Sequence, residues 1–93
     1  MTIQHKQVGS KGIFYVEADG KVLAELVYSK PTTDKMIIDH TEVDESLEGK
    51  GVGKDLVYHA VDFARTNHLK VIPLCPFANA LFKRKEELRD VLA

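Results

Sequence analysis

Apolar residues recur with two different periods in this chain, and the change between them comes after residue 44. Up to that point they alternate with polar residues or gather in short runs, the habit of β-strands. Gly12-Ile13-Phe14-Tyr15-Val16-Glu17 is rich in aromatic and branched side chains and closes on the turn signal Ala18-Asp19-Gly20. Residues 21–29 therefore return as the second arm of a hairpin. Pro31-Thr32-Thr33-Asp34 predicts another turn. Residues 35–44 then read as a third strand, with Met36, Ile38, His40 and Glu42 facing one way and Ile37, Asp39, Thr41 and Val43 the other. Residues 3–8 add a short strand at the edge.

From Gly51 to about Asn67 the period becomes helical, and Val52, Leu56, Val57, Ala60, Val61, Phe63 and Ala64 form a wide apolar stripe. The helix stops at Thr66-Asn67-His68, and Leu69-Lys70-Val71-Ile72-Pro73-Leu74 suits a buried strand reached by a crossover. Strand, helix, strand implies parallel pairing of the two flanking strands. Residues 77–92 carry Ala78, Leu81, Phe82, Leu88 and Val91 at roughly helical spacing, which predicts a terminal helix. The expected class is α/β (α+β): a mixed sheet with N-terminal antiparallel strands, a central βαβ unit and a C-terminal helix, in one domain over residues 1–93.

Composition narrows the partners. A chain of 93 residues supports one modest core, and 44% hydrophobic with 29% charged residues is the usage of an ordinary globular domain. No apolar run approaches the roughly 20 residues of a membrane span, and the N-terminus lacks the apolar stretch of a signal peptide. A cytoplasmic protein without a membrane partner is expected. Cys75 is the lone cysteine, so no intramolecular disulfide can form. A net charge of -1 argues against DNA and RNA. The charge is uneven, however: residues 1–46 hold 5 Lys against 8 acidic side chains, and residues 47–93 hold 8 basic against 6 acidic. The basic half contains the chain's most informative motif.

That motif is Glu48-Gly49-Lys50-Gly51-Val52-Gly53, three glycines in alternation between a strand and a helix. Glycine there lets backbone amides converge without side-chain obstruction, and the helix start adds partial positive charge, which suits a pyrophosphate. A turn that merely needs positive φ angles is the plainer alternative. Other glycine motifs fail on spacing. A P-loop needs a hydroxyl residue where Asp55 follows Lys54, and a dinucleotide fingerprint needs a third glycine where Lys54 or Leu56 stands.

With Ile38-Asp39-His40-Thr41-Glu42-Val43, Leu47 to Gly53, Leu56-Val57, Ala60-Val61, Ala64-Arg65 and Val71-Ile72-Pro73-Leu74-Cys75-Pro76-Phe77, the chain resembles the small GNAT-related acetyltransferases over about residues 12–82. The resemblance implies acetyl-CoA as cosubstrate and a sheet whose fourth and fifth strands splay apart around the pantetheine arm. It implies that Thr41, Glu42, Val43 and Cys75 flank that arm. The pyrophosphate would lie on the amides of Glu48, Gly49, Lys50, Gly51, Val52 and Gly53, with Lys54 beside them. Asn79 resembles the Asn that contacts the cofactor arm in larger GNAT enzymes. The basic cluster Lys83-Arg84-Lys85 has two open readings, an approach to the ribose phosphate of coenzyme A, with Lys83 as the named contact, or a solvated helix face. Two departures stand out. Glu48 replaces the Arg or Gln usual there, and no tyrosine falls on the last helix, where many relatives keep a general acid. The two helices that wall the acceptor site in larger enzymes are also missing from a chain this short.

Acetyl transfer to an amine needs a base for the amine proton and a way to protonate the leaving thiolate. His40 fits the first task because imidazole titrates near neutral pH. The resemblance pairs it with Cys75, for which donor, nucleophile and inert packing residue remain open. A thiol following the fifth strand is expected close to His40 on the neighbouring one. Glu42 is a second candidate base. His5, His59 and His68 read as solvated, and no metal-ligand spacing is present. The expected function is an acetyl-CoA-dependent N-acetyltransferase whose amine acceptor, a small molecule or a protein lysine, is unidentified. Its rivals are a non-catalytic acyl-CoA-binding or sensing module and a ligand-free interaction domain.

Overall fold

The computed structural model describes residues 2–93, and its backbone is one mixed sheet of five strands with two α-helices. The strands are β1 (Gln4–Val8), β2 (Lys11–Ala18), β3 (Lys21–Thr32), β4 (Lys35–Val43) and β5 (Lys70–Pro73), and they lie in the sheet in sequence order. The first three junctions are antiparallel and the last, β4 to β5, is parallel. That last junction is bridged by α1 (Val52–Thr66), as the change of period predicts. The short helix α2 (Pro76–Arg84) follows β5.

One side of the sheet carries the core. Ala24, Leu26 and Tyr28 of β3 and Met36 and Ile38 of β4 are buried against Leu56, Val57, Ala60, Val61 and Ala64 of α1. The intervening residues Leu23, Glu25, Val27, Ile37 and Ile72 point the other way and are only half-buried. Burying one face and leaving the other partly open is the usual economy of an antiparallel sheet.

Two local departures from regular pairing matter. In β4 the partners are Val27 with His40 and Tyr28 with Ile38, so Asp39 is an extra residue, a β-bulge. The uninterrupted alternation expected for residues 35–44 is corrected accordingly. Beyond the bulge the phase reverses: Thr41 and Val43 pair with the buried Leu26 and Ala24, while His40 and Glu42 pair with Val27 and Glu25 on the open face. The Asp39 carboxylate accepts a hydrogen bond from Ser29 Oγ at 3.1 Å. Similarly, β3 runs through Pro31 to Thr32 with an irregular register, where a full four-residue turn was expected.

The expected single terminal helix is also corrected. α2 ends at Arg84, Lys85 is extended at φ -114, and Glu86–Val91 continues as a 3-10 turn. The break lets Leu88 and Val91 reach the core and brings Leu92 beside Val71 as an added bridge on the outer edge of β5. Arg89 donates to the carbonyls of Phe82 and Lys83, satisfying groups that the end of the helix leaves open. His5 is exposed, as read, yet one side of its ring stacks on Phe14 at 4.1 Å and meets the Tyr28 hydroxyl at 2.7 Å, and this partial burial pushes its pKa down.

Tyr28 is fully buried because β2 makes room for it. A Cβ on Gly12 would lie 2.1 Å from the Tyr28 ring. Gly12→Ala is therefore expected to destabilise the protein by about 1–3 kcal/mol, read as a lower urea midpoint. Adding Tyr28→Leu should recover part of the loss. An unshifted midpoint for Gly12→Ala would contradict the close approach.

Candidate functional site

The site begins with a reversal of the chain after β4. Asp44 accepts hydrogen bonds from the Ser46 amide (3.0 Å) and hydroxyl (2.6 Å), capping the 3-10 turn Glu45–Leu47. Gly49 (φ 77) and Gly51 (φ 75) then adopt left-handed backbone, which a side chain resists. Space is open around both, so conformation alone requires glycine there. Gly53 serves another purpose: a Cβ on it would lie 3.0 Å from the Phe77 ring.

Gly51 is the N-cap of α1 and offers no side chain to it. The first helical bond runs from the Asp55 amide to the Gly51 carbonyl at 3.0 Å. The amides of Val52, Gly53 and Lys54 thus end the helix without an intrahelical acceptor, and the helix adds its partial positive charge at the same point. Such an end accepts an anion readily.

A cleft of about 510 Å³ opens over these amides. Thr41 and Val43 of β4 form one wall, Leu47, Glu48 and the glycine turn the floor, and Phe77 and Arg84 of α2 the other wall. The cleft exists because β5 stops early. The β4–β5 register ends at Ile38 with Pro73, so residues 39–43 continue without a partner on that side among the described residues. Proline donates no hydrogen bond, and the Pro73 carbonyl accepts instead from Asn79 Nδ2 at 3.3 Å.

Comparison with known proteins gives the family of the chain. The sequence pattern described as GCN5-related N-acetyl-transferase matches residues 13–91. The chain belongs to this GNAT family. A GCN5-like candidate N-acetyltransferase from Staphylococcus aureus is similar at 36% identity, with 97% of this chain and 87% of that chain covered and a TM-score of 0.75. A GNAT acetyltransferase from Elizabethkingia anophelis, solved with acetyl-CoA bound, shares the fold at 14% identity and TM-score 0.64, covering 83% of this chain and 53% of that one. The ribosomal-protein-alanine N-acetyltransferase of Brucella melitensis also shares the fold, at 20% identity, TM-score 0.65, and 81% and 60% coverage. No curated protein matches the chain. The protein is an acetyltransferase, and acetyl-CoA is the cosubstrate of its family.

Of the cofactor residues expected in this GNAT domain, Thr41, Val43, Glu48, Gly49, Gly51, Val52, Gly53 and Lys54 line the one cleft. Glu42 lines a different depression with Val22 and Glu25, and Cys75 is buried outside the cleft lining. Lys50 lies in the glycine turn, its amide bonded to the Leu47 carbonyl. Asn79 and Lys83 fall elsewhere, in a separate depression with Pro73, Phe82, Arg89 and Leu92. Helical geometry is the reason: at about 100° per residue, Phe77 and Arg84 share a face of α2, and positions 79 and 83 turn away from it. Phe77, named above only within a longer motif, and Arg84, only within a basic cluster, are thus the wall residues of α2, and their seven-residue spacing is the signal that pairs them.

His40 and Cys75 are not brought together. Cys75 Sγ meets Thr41 Oγ1 at 3.3 Å on the core side of β4, whereas His40 leaves the opposite side and meets Glu25 at 3.1 Å. The bulge at Asp39 and the alternation of neighbours along a strand account for the separation. Glu25, His40 and Glu42 form a cluster on the open face with ligating atoms within 4.8 Å of one another, one that the sequence does not display because it spans two strands.

Burial would push the Cys75 thiol up, but the Thr41 hydroxyl and the amides of Ala78, Phe77 and Thr41 favour the thiolate, and the net shift is down. Cys75 is the N-cap of α2 but makes no side-chain capping bond to it, and its side-chain partner is the Thr41 hydroxyl at 3.3 Å. Thr41→Val should therefore raise the pH at which thiolate ultraviolet absorbance appears. An unchanged titration would show that Thr41 does not stabilise the thiolate.

Proposed function

We propose that the protein transfers acetyl from acetyl-CoA to an amine by direct attack, with the cosubstrate's diphosphate on the amides of Val52, Gly53 and Lys54. The observation that carries this reading is one cleft running from those uncapped amides to the unpaired stretch of β4. The donor set fits the cosubstrate: amides and the cations Lys54 and Arg84 suit a diphosphate, and Thr41, Val43 and Phe77 offer an uncharged wall for the pantetheine arm.

In this reading the thioester reaches the gap between β4 and β5, where both faces of the sheet are within reach. The amine approaches from the open face, beside His40. Glu25 accepts from Nε2–H of His40, which leaves Nδ1 as the nitrogen that takes the amine proton. The amine nitrogen forms a bond to the acetyl carbon, the carbon–sulfur bond breaks, and the departing thiolate takes a proton on the core side. Cys75 stands there as donor or positioning group, and Glu42 adds negative charge that attracts a cationic acceptor. Because the open face has few walls, exposed amines such as lysine side chains or polyamines are the expected acceptors.

Calorimetry with acetyl-CoA, followed by thioester consumption with an amine panel, tests this directly. Gly51→Val should weaken binding in a folded protein, since φ 75 strains any side chain. His40→Ala should lower kcat/KM by roughly 10²- to 10⁴-fold with cosubstrate affinity preserved. Binding without turnover would favour the sensing module, and unaltered turnover in both His40→Ala and Cys75→Ala would remove both from the chemistry. Acetylated Cys75 that discharges at the turnover rate, seen by intact-protein mass spectrometry, would replace direct attack with a covalent relay.

A further inference from the structure

The glycine turn presents its amides to an anion, yet the side chain nearest its start is a carboxylate. Glu48 lines the cleft, and its negative charge opposes a diphosphate. A side-chain cation facing the same cleft would offset it, and α2 supplies one. Arg84 lines the cleft two helical turns beyond Phe77.

The three arginines of the chain are committed differently. Arg65 is held by Asp90 at 2.7 Å and by Asp62 at 3.2 Å, and Arg89 donates to the carbonyls of Phe82 and Lys83. Among the described residues no ion pair involves Arg84. Its guanidinium is exposed at the cleft wall, where its planar fork matches two phosphate oxygens. Lys54, the other cation there, rides over the Tyr58 ring at 5.7 Å, along its own helix.

Resting on the acetyl-CoA reading above, we infer that Arg84 is the side-chain anchor for the coenzyme A diphosphate, and that it does from the terminal helix what Glu48 cannot do from the glycine turn. Phosphate recognition is then shared between two elements. The α1 amides take one side of the diphosphate and the Arg84 guanidinium the other.

Calorimetric titration of wild type, Arg84→Gln and Arg84→Lys with coenzyme A, 3′-dephospho-coenzyme A and acetyl-pantetheine tests this. Arg84→Gln should weaken both coenzyme A forms equally, by roughly ten- to a hundredfold, and leave acetyl-pantetheine affinity unchanged. Arg84→Lys should restore part of the loss as a point charge, and the salt dependence of binding should flatten in Arg84→Gln. The thermal midpoint of the free protein should not move, which separates this role from a structural one. A loss confined to the form bearing the 3′-phosphate, or no loss at all, would overturn the inference while leaving acetyl-CoA binding intact. If wild type binds neither coenzyme A form, the reading beneath it falls and this inference falls with it.

Discussion

Much of this molecule follows from the place where parallel pairing ends. β5 is four residues long and closes on Pro73, which has no amide to offer β4 and whose carbonyl turns to Asn79. The chain then leaves the sheet, and Pro76 opens α2 at a position where a missing amide costs the helix nothing. From Asp39 onward β4 keeps β3 on one side and has an open edge on the other. A sheet edge normally presents unpaired backbone to any strand that approaches. In this protein the edge is flanked by the start of α1 on one side and by α2 on the other, so it forms the wall of a cleft.

The bulge at Asp39 sits at that same junction and divides labour between the faces. It turns Thr41 and Val43 toward the cleft and the Cys75 thiol, and it sends His40 and Glu42 to the side where no core residue covers them. Without the extra residue the histidine would continue the line of Met36 and Ile38 into the buried face, where an imidazole is poorly solvated. One inserted residue therefore decides which groups face the cosubstrate and which face the acceptor.

The sequence makes some of this legible and hides the rest for physical reasons. Strand order, the parallel junction and α1 follow from period and punctuation, which are local. The glycine turn is readable because left-handed backbone and close approach constrain composition directly: Gly49 and Gly51 for φ, Gly53 for the Phe77 ring. A bulge leaves no such mark, since an added residue in an alternating strand looks like any other polar position, and the expected meeting of His40 with Cys75 fails there. The break after Arg84 is equally silent because Leu88 and Val91 suit a continued helix as well as a 3-10 turn. Asn79 rests on analogy with longer relatives and Lys83 on a run of charge, whereas the helical spacing of Phe77 and Arg84 picks out the face that meets the cleft.

The central claim is that acetyl-CoA lies along one continuous path, from the amides at the start of α1 to the gap between β4 and β5. Amide chemical-shift mapping by heteronuclear NMR during an acetyl-CoA titration tests it most directly. The account predicts large shifts for Gly49 to Lys54 and for residues 39–43, a change at Cys75, and quiet amides in β1 and in the depression that holds Asn79 and Lys83. Shifts concentrated on β1 and β2, or on that depression with the glycine turn unmoved, would contradict it.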